Sequence, residues 1–417
     1  MIKTKRLFNA SCLALVVTAF TFAIRANLLG TLAAEFSLSP TEIGEVASAA
    51  FWGFTLAMFI GGPLCDYVGM GRLYLFAFIG HMLGLALTIF ASGYWSLFLS
   101  TLLVGMGNGF VESASYAMVS SLYTTEKAKK INDWHIWFPA GIMIGGLLAY
   151  AMSLAGFHWR WQIGVMLLPT LAYGGLFAGL KFPKSERISM GVSNRQMIRE
   201  CFSPLFIFMV CCMFLTGATE LGTNQWIAEL LASVGVPSIL LLVFINGIMT
   251  IGRANAGFIL KRMSTTGLLL WSAILSFAGL IGLGYASGYF SFAAAGVFAV
   301  GICFFWPTMI GFVSENLPKT GPLGLSVMGG AGLLSTSLIL PIFGAVYEKQ
   351  LHSGLQGGHH LEVLKKALPG SSDFVAWEQL KMLAGANTLL YTAVLPALLI
   401  IAFMILHQYK LKKAQIN

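Results

Sequence analysis

Charge is what this chain has least of. Only 10% of its 417 residues are Asp, Glu, Lys or Arg and 57% are hydrophobic, whereas a soluble domain carries about 25% charged residues. With a mean hydropathy of +0.80, the apolar surface exceeds what any soluble fold can bury, so a soluble enzyme or binding module is excluded. Cysteine is scarce and unpatterned. The six cysteines, Cys12, Cys65, Cys201, Cys211, Cys212 and Cys303, fall in apolar runs or at their ends with no C-x-x-C spacing, which argues against a disulfide framework or a structural zinc site. No Walker-type lysine loop, H-E-x-x-H pair or G-x-S-x-G elbow occurs, so neither ATP hydrolysis nor common hydrolase chemistry is supported and no cofactor is expected. The adjacent His359 and His360 read as a solvated loop, with a metal site as the alternative.

Long apolar runs are what the chain has instead. Twelve of them follow one another, at 7–31, 42–63, 73–92, 96–121, 133–155, 160–180, 203–230, 236–259, 265–285, 289–313, 321–346 and 384–407. A bilayer core about 30 Å thick is crossed by about 20 helical residues. In lipid only a helix or a closed barrel satisfies its own backbone, so the expected fold is an all-α membrane protein of twelve spans. The opening MIKTKR and its apolar run look like a signal peptide, but the run is long, contains Arg25 and lacks a small-residue cleavage site. It reads as an uncleaved first span.

The formal net charge of +9 reports orientation, and no nucleic-acid partner is expected. If the N-terminus is cytoplasmic, 18 of the 25 Lys and Arg fall on the cytoplasmic side, Lys3, Arg72, Lys127, Lys184 and Lys410 among them, and five face outward: Arg160, Lys349, Lys365, Lys366 and Lys381. The positive-inside bias then places both termini in the cytoplasm of a chain integral to the cell (inner) membrane. Arg25 and Arg253 remain inside spans.

A polar, basic connection at 182–202 divides the runs six and six. The expected units are an N-terminal bundle at 1–181, a cytoplasmic linker, and a C-terminal bundle at 203–417. A second long connection, 347–383, lies outside; its LEVLKKAL and FVAWEQLKML segments have helical spacing suited to the membrane surface. After the second span of each half a related motif appears, Gly62-Pro-Leu-Cys-Asp66-Tyr-Val-Gly69-Met-Gly-Arg72 and Gly252-Arg253-Ala-Asn-Ala-Gly257-Phe-Ile-Leu-Lys261-Arg262. Gly62 and Gly257 are 195 positions apart, close to half the chain, as an internal duplication requires. Glycines permit close helix approach. Asp66, near a helix N-terminus, together with Arg72, Lys261 and Arg262 suits charge contacts that hold one conformation and break in another. All of these motif residues are gating candidates, Arg253 with a structural role near the cytoplasmic end.

The chain resembles the major facilitator superfamily over essentially its whole length, on Gly62, Asp66, Gly69 and Arg72, with Tyr67 and Met70 where that family often has basic residues. The resemblance implies two pseudo-symmetric six-helix bundles, rocking about a central cavity lined mainly by spans 1, 4, 7 and 10, and a monomer.

A charged side chain at the bilayer centre costs at least about 2.5 kcal/mol, so each one retained there needs a partner, a cavity or a function. Span 4 aligns Asn108, Glu112 and Tyr116 at intervals of four, hence on one helical face. Glu112 suits reversible protonation; the alternative is a helix–helix polar contact. Span 7 aligns Thr216, Glu220 and Asn224, with Trp226 beyond. Its depth suggests an outer gate for Glu220 and Asn224. Arg25 and Asn27 lie in span 1, Arg25 roughly 27 Å along at about 1.5 Å per residue, so it belongs to the outer half and either binds substrate or snorkels; a pair with Glu112 is disfavoured. Span 8 carries Asn246, Thr250 and Arg253. Span 5 opens with Asn132, Asp133 and His135 beside Trp134, Trp137 and Phe138, which reads as a cytoplasmic aromatic cuff. Trp306 before Pro307 suits a hinge with a flat ring for a sugar face.

The segment from Gly105 to Tyr123, with VESASY, and the following KKINDWHIWFPAGIMIGG resemble the fucose-permease branch of sugar–proton symporters. That resemblance implies proton coupling at Glu112, although the branch places an acid in span 1 where this chain has Arg25 and Asn27. The stretch from RANLL to GGPLCD resembles the organic-anion branch, in which a span-1 arginine meets a carboxylate. Two acids in the cavity helices oppose an anionic cargo. The first reading is therefore symport of a neutral sugar or polyol with an ion, H+; the alternative is a hexuronate or other organic anion held by Arg25. Candidate binding residues are Arg25, Asn27, Asn108, Tyr116, Glu220, Asn224 and Trp306.

Overall fold

The computed structural model describes residues 2–38, 40–224, 238–286, 289–355, 361–365, 367–368 and 370–416. His359, His360, Trp226 and Lys366 lie outside the described residues. Among the described residues, each apolar run is helical. Span 1 is Thr4–Glu35, span 2 Pro40–Val68, span 3 Met70–Ile89 and span 4 Tyr94–Leu122. Span 5 consists of Lys127–His135 and Trp137–Leu154, span 6 of Trp159–Gly164 and Leu167–Phe177, and span 7 of Pro204–Gly217 continued by a π-helical turn, Ala218–Gly222. Span 8 is Ser238–Ala254 with Ala256–Leu260, span 9 Thr265–Tyr285, span 10 Tyr289–Ile302 with Phe305–Asn316, span 11 Gly321–Ser353, and span 12 Ser372–Thr392 with Val394–Ile416. Among the described residues, ten helical stretches are long and apolar enough to cross a membrane, and Ile239–Ala254 is a shorter apolar helix.

One expectation about the connections is corrected. FVAWEQLKML does not lie apart on the surface: it forms the opening turns of Ser372–Thr392, at the head of span 12. Leu361–Lys365 is a separate short helix. The linker contains two capped helices, Glu186–Ser189 and Asn194–Cys201, with Ser185 Oγ accepting from the Ile188 amide and Ser193 Oγ from the Gln196 amide, which satisfies first-turn donors in each.

Span 3 shows how these sequences are turned inside out for lipid. Leu75, Ile79, Leu83 and Leu87 are exposed, one every helical turn, while the polar His81 and Thr88 are buried on the opposite side. His81 stands 3.0 Å from Tyr173 Oη in span 6 and 2.8 Å from Asn108 Oδ1 in span 4, so polar groups join helices within the bundle, as expected where the surrounding solvent is hydrocarbon.

The two halves meet through equivalent pairs, span 2 on span 11 and span 8 on span 5. A duplicated glycine sits in each contact, tightly against backbone in the first and against the mobile end of a lysine in the second. A Cβ on Gly62 would stand 2.8 Å from Ser326 Cβ and 3.0 Å from the Pro322 carbonyl of span 11, and one on Gly257 would stand 2.9 Å from Lys129 Cε of span 5. No larger residue fits either place without displacement. Gly69 ends span 2 with φ +85°, which only glycine adopts freely.

The chain ends share one face of the bundle pair: Arg6 Nε donates to Leu176 O at 3.0 Å and Lys410 Nζ to Asn316 Oδ1 at 2.5 Å. On this terminal face the bundles are fastened together. Ser314 Oγ donates to Ser120 Oγ at 2.9 Å, and the Ala128 amide in the first turn of span 5 donates to Glu315 Oε1 of span 10 at 2.8 Å, a helix N-terminus capped by a carboxylate from the other half. Lys127 Nζ pairs with Glu186 of the linker at 2.6 Å and reaches Ser314 O at 3.4 Å.

Candidate functional site

A cavity of about 620 Å³ lies between the bundles. It runs from Glu112, His135, Glu220, Arg253 and Trp306 at its floor to Asn27, Tyr150, Ser153 and Ile239 at the helix ends away from the terminal face. All four lining phenylalanines, Phe22, Phe51, Phe54 and Phe138, come from the N-terminal half, which also contributes Asn27, Glu112 and His135; the C-terminal half contributes Glu220, Asn224, Asn246, Arg253 and Trp306 beside apolar residues such as Leu242 and Met249. Phe22 joins the aromatic wall together, with ring centroids 5.3 Å from Phe51, 6.1 Å from Phe54 and 6.0 Å from Phe138.

Arg253 is fully buried and pairs with Glu220 through Nη2–Oε1 at 3.1 Å. Its Nε donates to Cys303 O at 2.7 Å and its Nη1 to His135 O at 3.2 Å. Three of its five donors are thus engaged, one with a carboxylate and two with backbone carbonyls. Glu220 sits on the π-helical turn of span 7, a local widening that recurs at functional sites. Among the described residues, neither its Oε2 nor Asn224 Oδ1 has a hydrogen-bond partner.

Tyr116 is the second junction of the floor. Its hydroxyl donates to Glu112 Oε2 at 2.7 Å, accepts from Trp306 Nε1 at 2.7 Å, and lies 2.9 Å from His135 Nε2. A phenol has one proton and two lone pairs. With its proton directed to Glu112, both remaining contacts must be donated to it, so His135 carries its hydrogen on Nε2; Nδ1 has no partner. The indole of Trp306 comes from the opposite bundle, so this cluster, like Arg253, ties the two halves.

Several sequence expectations are redirected. Arg253 is not a terminal-face element of the motif but part of the cavity floor. Glu220 belongs to that floor rather than to an outer gate. His135 is buried and lines the cavity instead of sitting in a cytoplasmic cuff, while Asp133 pairs with Lys130 at 3.0 Å. Asn108 and Tyr116 are fully buried and are not among the lining residues; Asn108 is held by His81 and by Thr21, whose Oγ1 accepts from Nδ2 at 3.0 Å. Arg25 has its guanidinium 5.7 Å over the Phe22 ring and is not a lining residue either. Asn27 and Asn224 do line the cavity, as does Trp306; Asn27 Nδ2 donates to Ser153 Oγ at 3.0 Å. Of the remaining motif residues, Asp66 accepts from Ser185 Oγ of the linker at 2.5 Å, Arg72 donates to Val68 O at 3.4 Å, and Arg262 stacks over Phe258 at 4.2 Å. Gly252 lies against span 10, where a Cβ would meet Cys303 Sγ at 2.6 Å. Lys261 caps Ala256–Leu260.

Sequence reading names His135, Phe138 and Asn246 without placing them in the cavity, and it misses Phe22, Phe51 and Phe54 altogether. Pro139 stands four residues beyond His135 and Pro307 four beyond Cys303, a spacing that marks a carbonyl released from its helix.

Two equivalent sets of helices around a charged central cavity, fastened on one side, define an integral, multi-pass membrane transporter rather than an enzyme. The chain belongs to the Major Facilitator Superfamily, whose model matches residues 11–350. Among curated relatives, it is 29% identical over 157 residues to a D-xylose transporter of Levilactobacillus brevis, covering 37% of this chain and 33% of that protein. It is 24% identical over 237 residues to a gentisate transporter of Corynebacterium glutamicum, covering 52% and 51%. A gallate transporter of Pseudomonas putida is 24% identical over 382 residues, 78% of this chain and 84% of that protein. The matched region thus spans a third to a half of the first two relatives. Among solved structures, the Escherichia coli fucose:proton symporter FucP superposes with a TM-score of 0.65 at 15% identity, over 93% of this chain and 97% of that one. The proton:xylose symporter XylE gives 0.69 at 14% identity, over 93% and 94%.

Proposed function

We propose that the protein is a proton-coupled symporter of a small neutral sugar or polyol, working by alternating access, with Glu112 as the proton carrier. The observation that carries this reading is the charge balance of the floor. Arg253 is already paired with Glu220 at 3.1 Å, and Glu112 lines the same cavity, so an anionic cargo must displace one carboxylate and face another. A neutral ring meets no such opposition. Its hydroxyl edge can bond Asn224, Asn246 and the unpartnered Glu220 Oε2, and its C–H face can lie on the phenylalanine wall. Sugar and proton:sugar transporters among the relatives and fold neighbours support the class.

A second reading is favoured by that same wall. Four phenylalanines also suit an aromatic ring, and gentisate and gallate transporters are among the relatives. In this case Arg253, not Arg25, would take the carboxylate, with a protonated Glu220 or Glu112 offsetting the charge.

The coupling step follows from the hydrogen bonds of Tyr116. An ionised Glu112 accepts a hydrogen bond from the phenol; a protonated Glu112 can instead donate to it, and the phenol then donates to His135 Nε2 once the ring takes its Nδ1–H tautomer. Protonation thereby reverses the donors at a junction that includes Trp306 of the other bundle, and so biases which face is closed. In proteoliposomes with an inward proton gradient, the protein should accumulate labelled substrate and lose this with a protonophore. Glu112→Gln should abolish accumulation while keeping counterflow exchange. Accumulation undiminished in Glu112→Gln would remove it from the coupling role. A thermal-stability panel of pentoses and hexoses against hydroxybenzoates and hexuronates separates the cargoes: stabilisation by acids alone, lost in Arg253→Lys, would establish the second reading.

A further inference from the structure

We infer that Pro139 and Pro307 are positioning residues that place Arg253 as a pin between the two bundles. Proline has no amide hydrogen, so in a helix it leaves the carbonyl four residues earlier without its donor. Four before Pro139 is His135, and four before Pro307 is Cys303. Both helices are interrupted at these places. Span 5 breaks at Ile136, between Lys127–His135 and Trp137–Leu154, and span 10 breaks between Ile302 and Phe305. The two released carbonyls are the two that Arg253 occupies, His135 O by Nη1 at 3.2 Å and Cys303 O by Nε at 2.7 Å. One belongs to the N-terminal half and the other to the C-terminal half.

The arrangement uses a property that lysine lacks. A guanidinium is a planar fork with donors in fixed, divergent directions, so one side chain can bond carbonyls on two helices and the Glu220 carboxylate together. Buried carbonyls require a partner, and here the guanidinium supplies it. The prolines thus make closure of the terminal face and the position of the fully buried Arg253 a single structural event. For span 5 to leave span 8 when the terminal face opens, Nη1 must leave His135 O. Pro307 keeps the guanidinium anchored to its own half through Cys303 while that happens.

The inference rests on the carrier reading for its consequence but not for its test, which needs neither substrate nor gradient. Ser120→Cys with Ser314→Cys places one thiol on each half where the hydroxyl oxygens are 2.9 Å apart. The rate of disulfide formation under a membrane-permeant oxidant then reports closure of the terminal face, with each single cysteine variant as control. Pro139→Ala returns an amide donor to His135 O, and should slow cross-linking by about tenfold, the shift expected on losing one charge-assisted hydrogen bond. Arg253→Lys should slow it similarly. The deciding comparison is the double variant: a pin acting through both residues makes Pro139→Ala without further effect in the Arg253→Lys background. Pro169→Ala, in span 6, should leave the rate unchanged. Equal effects of Pro139→Ala with Arg253 and with Lys at 253, or no effect at all, would overturn the inference, while loss of uptake with a normal cross-linking cycle would count against the proposed function alone.

Discussion

The ion pair of Glu220 and Arg253 sets the terms for every other residue at the floor. Both side chains are nearly inaccessible, at 3% and 1% exposure, and a buried pair is most costly when one member is lost, about 3–5 kcal/mol. Glu220→Gln should therefore lower the apparent unfolding temperature in detergent sharply, and Glu220→Gln combined with Arg253→Gln should recover part of the loss, because no charge is then left unpaired. Stability lower in the double variant than in either single one would contradict the pairing. Depth counting along the sequence separates these two residues, because it measures backbone only. Side chains lean toward the N-terminus of their helix, and spans 7 and 8 run in opposite directions, so Glu220 and Arg253 lean toward each other. Glu112 was legible because it sits on a polar stripe. Its neighbours on that stripe were not: Asn108 turns into the contacts of spans 1 and 3, and Tyr116 lies beneath the cavity, distinctions that depend on which helices surround span 4.

At the scale of elements, the hydrophobic runs predict all twelve helices, since a lipid solvent leaves no other way to satisfy the backbone. Their interruptions divide into two kinds. Those in spans 5, 6, 10 and 12 carry a proline three residues past the break and can be anticipated; the break at Asn255 in span 8 and the π-helical turn under Glu220 have no such mark. The head of span 12 differs for another reason: FVAWEQLKML is apolar on one face, and that face is covered by Leu351, Leu361 and Leu364 of neighbouring helices where a membrane surface would serve equally. Close approach of elements gives a direct prediction. Gly62→Ala brings a Cβ within 3.0 Å or less of span 11 and should weaken closure of the terminal face, read as slower cross-linking between Ser120→Cys and Ser314→Cys. Gly30→Ala, which meets nothing within 4 Å, should not. Equal rates would show that the span 2–span 11 contact does not control closure.

Across the whole molecule, the duplication visible as Gly62 and Gly257 becomes a pair of equivalent seams, span 2 against span 11 and span 8 against span 5, with the cavity between them. We propose, from the distribution of Lys and Arg, that the fastened face is the cytoplasmic one. A cysteine at the exposed Thr125 should accordingly react with an impermeant maleimide only from the cytoplasmic side, and one at Leu154 only from outside; the reverse pattern would invert the orientation. In the proposed mechanism, two seams, a pinned floor and one proton-binding carboxyl open one face by closing the other. The direct measurement is a pair of spin-label distances in lipid, Thr125 to Lys319 across the terminal face and Leu154 to Tyr285 across the opposite one, compared between the wild type and Glu112→Gln with substrate. The account predicts that the first distance lengthens as the second shortens; distances that change together, or not at all, would contradict it.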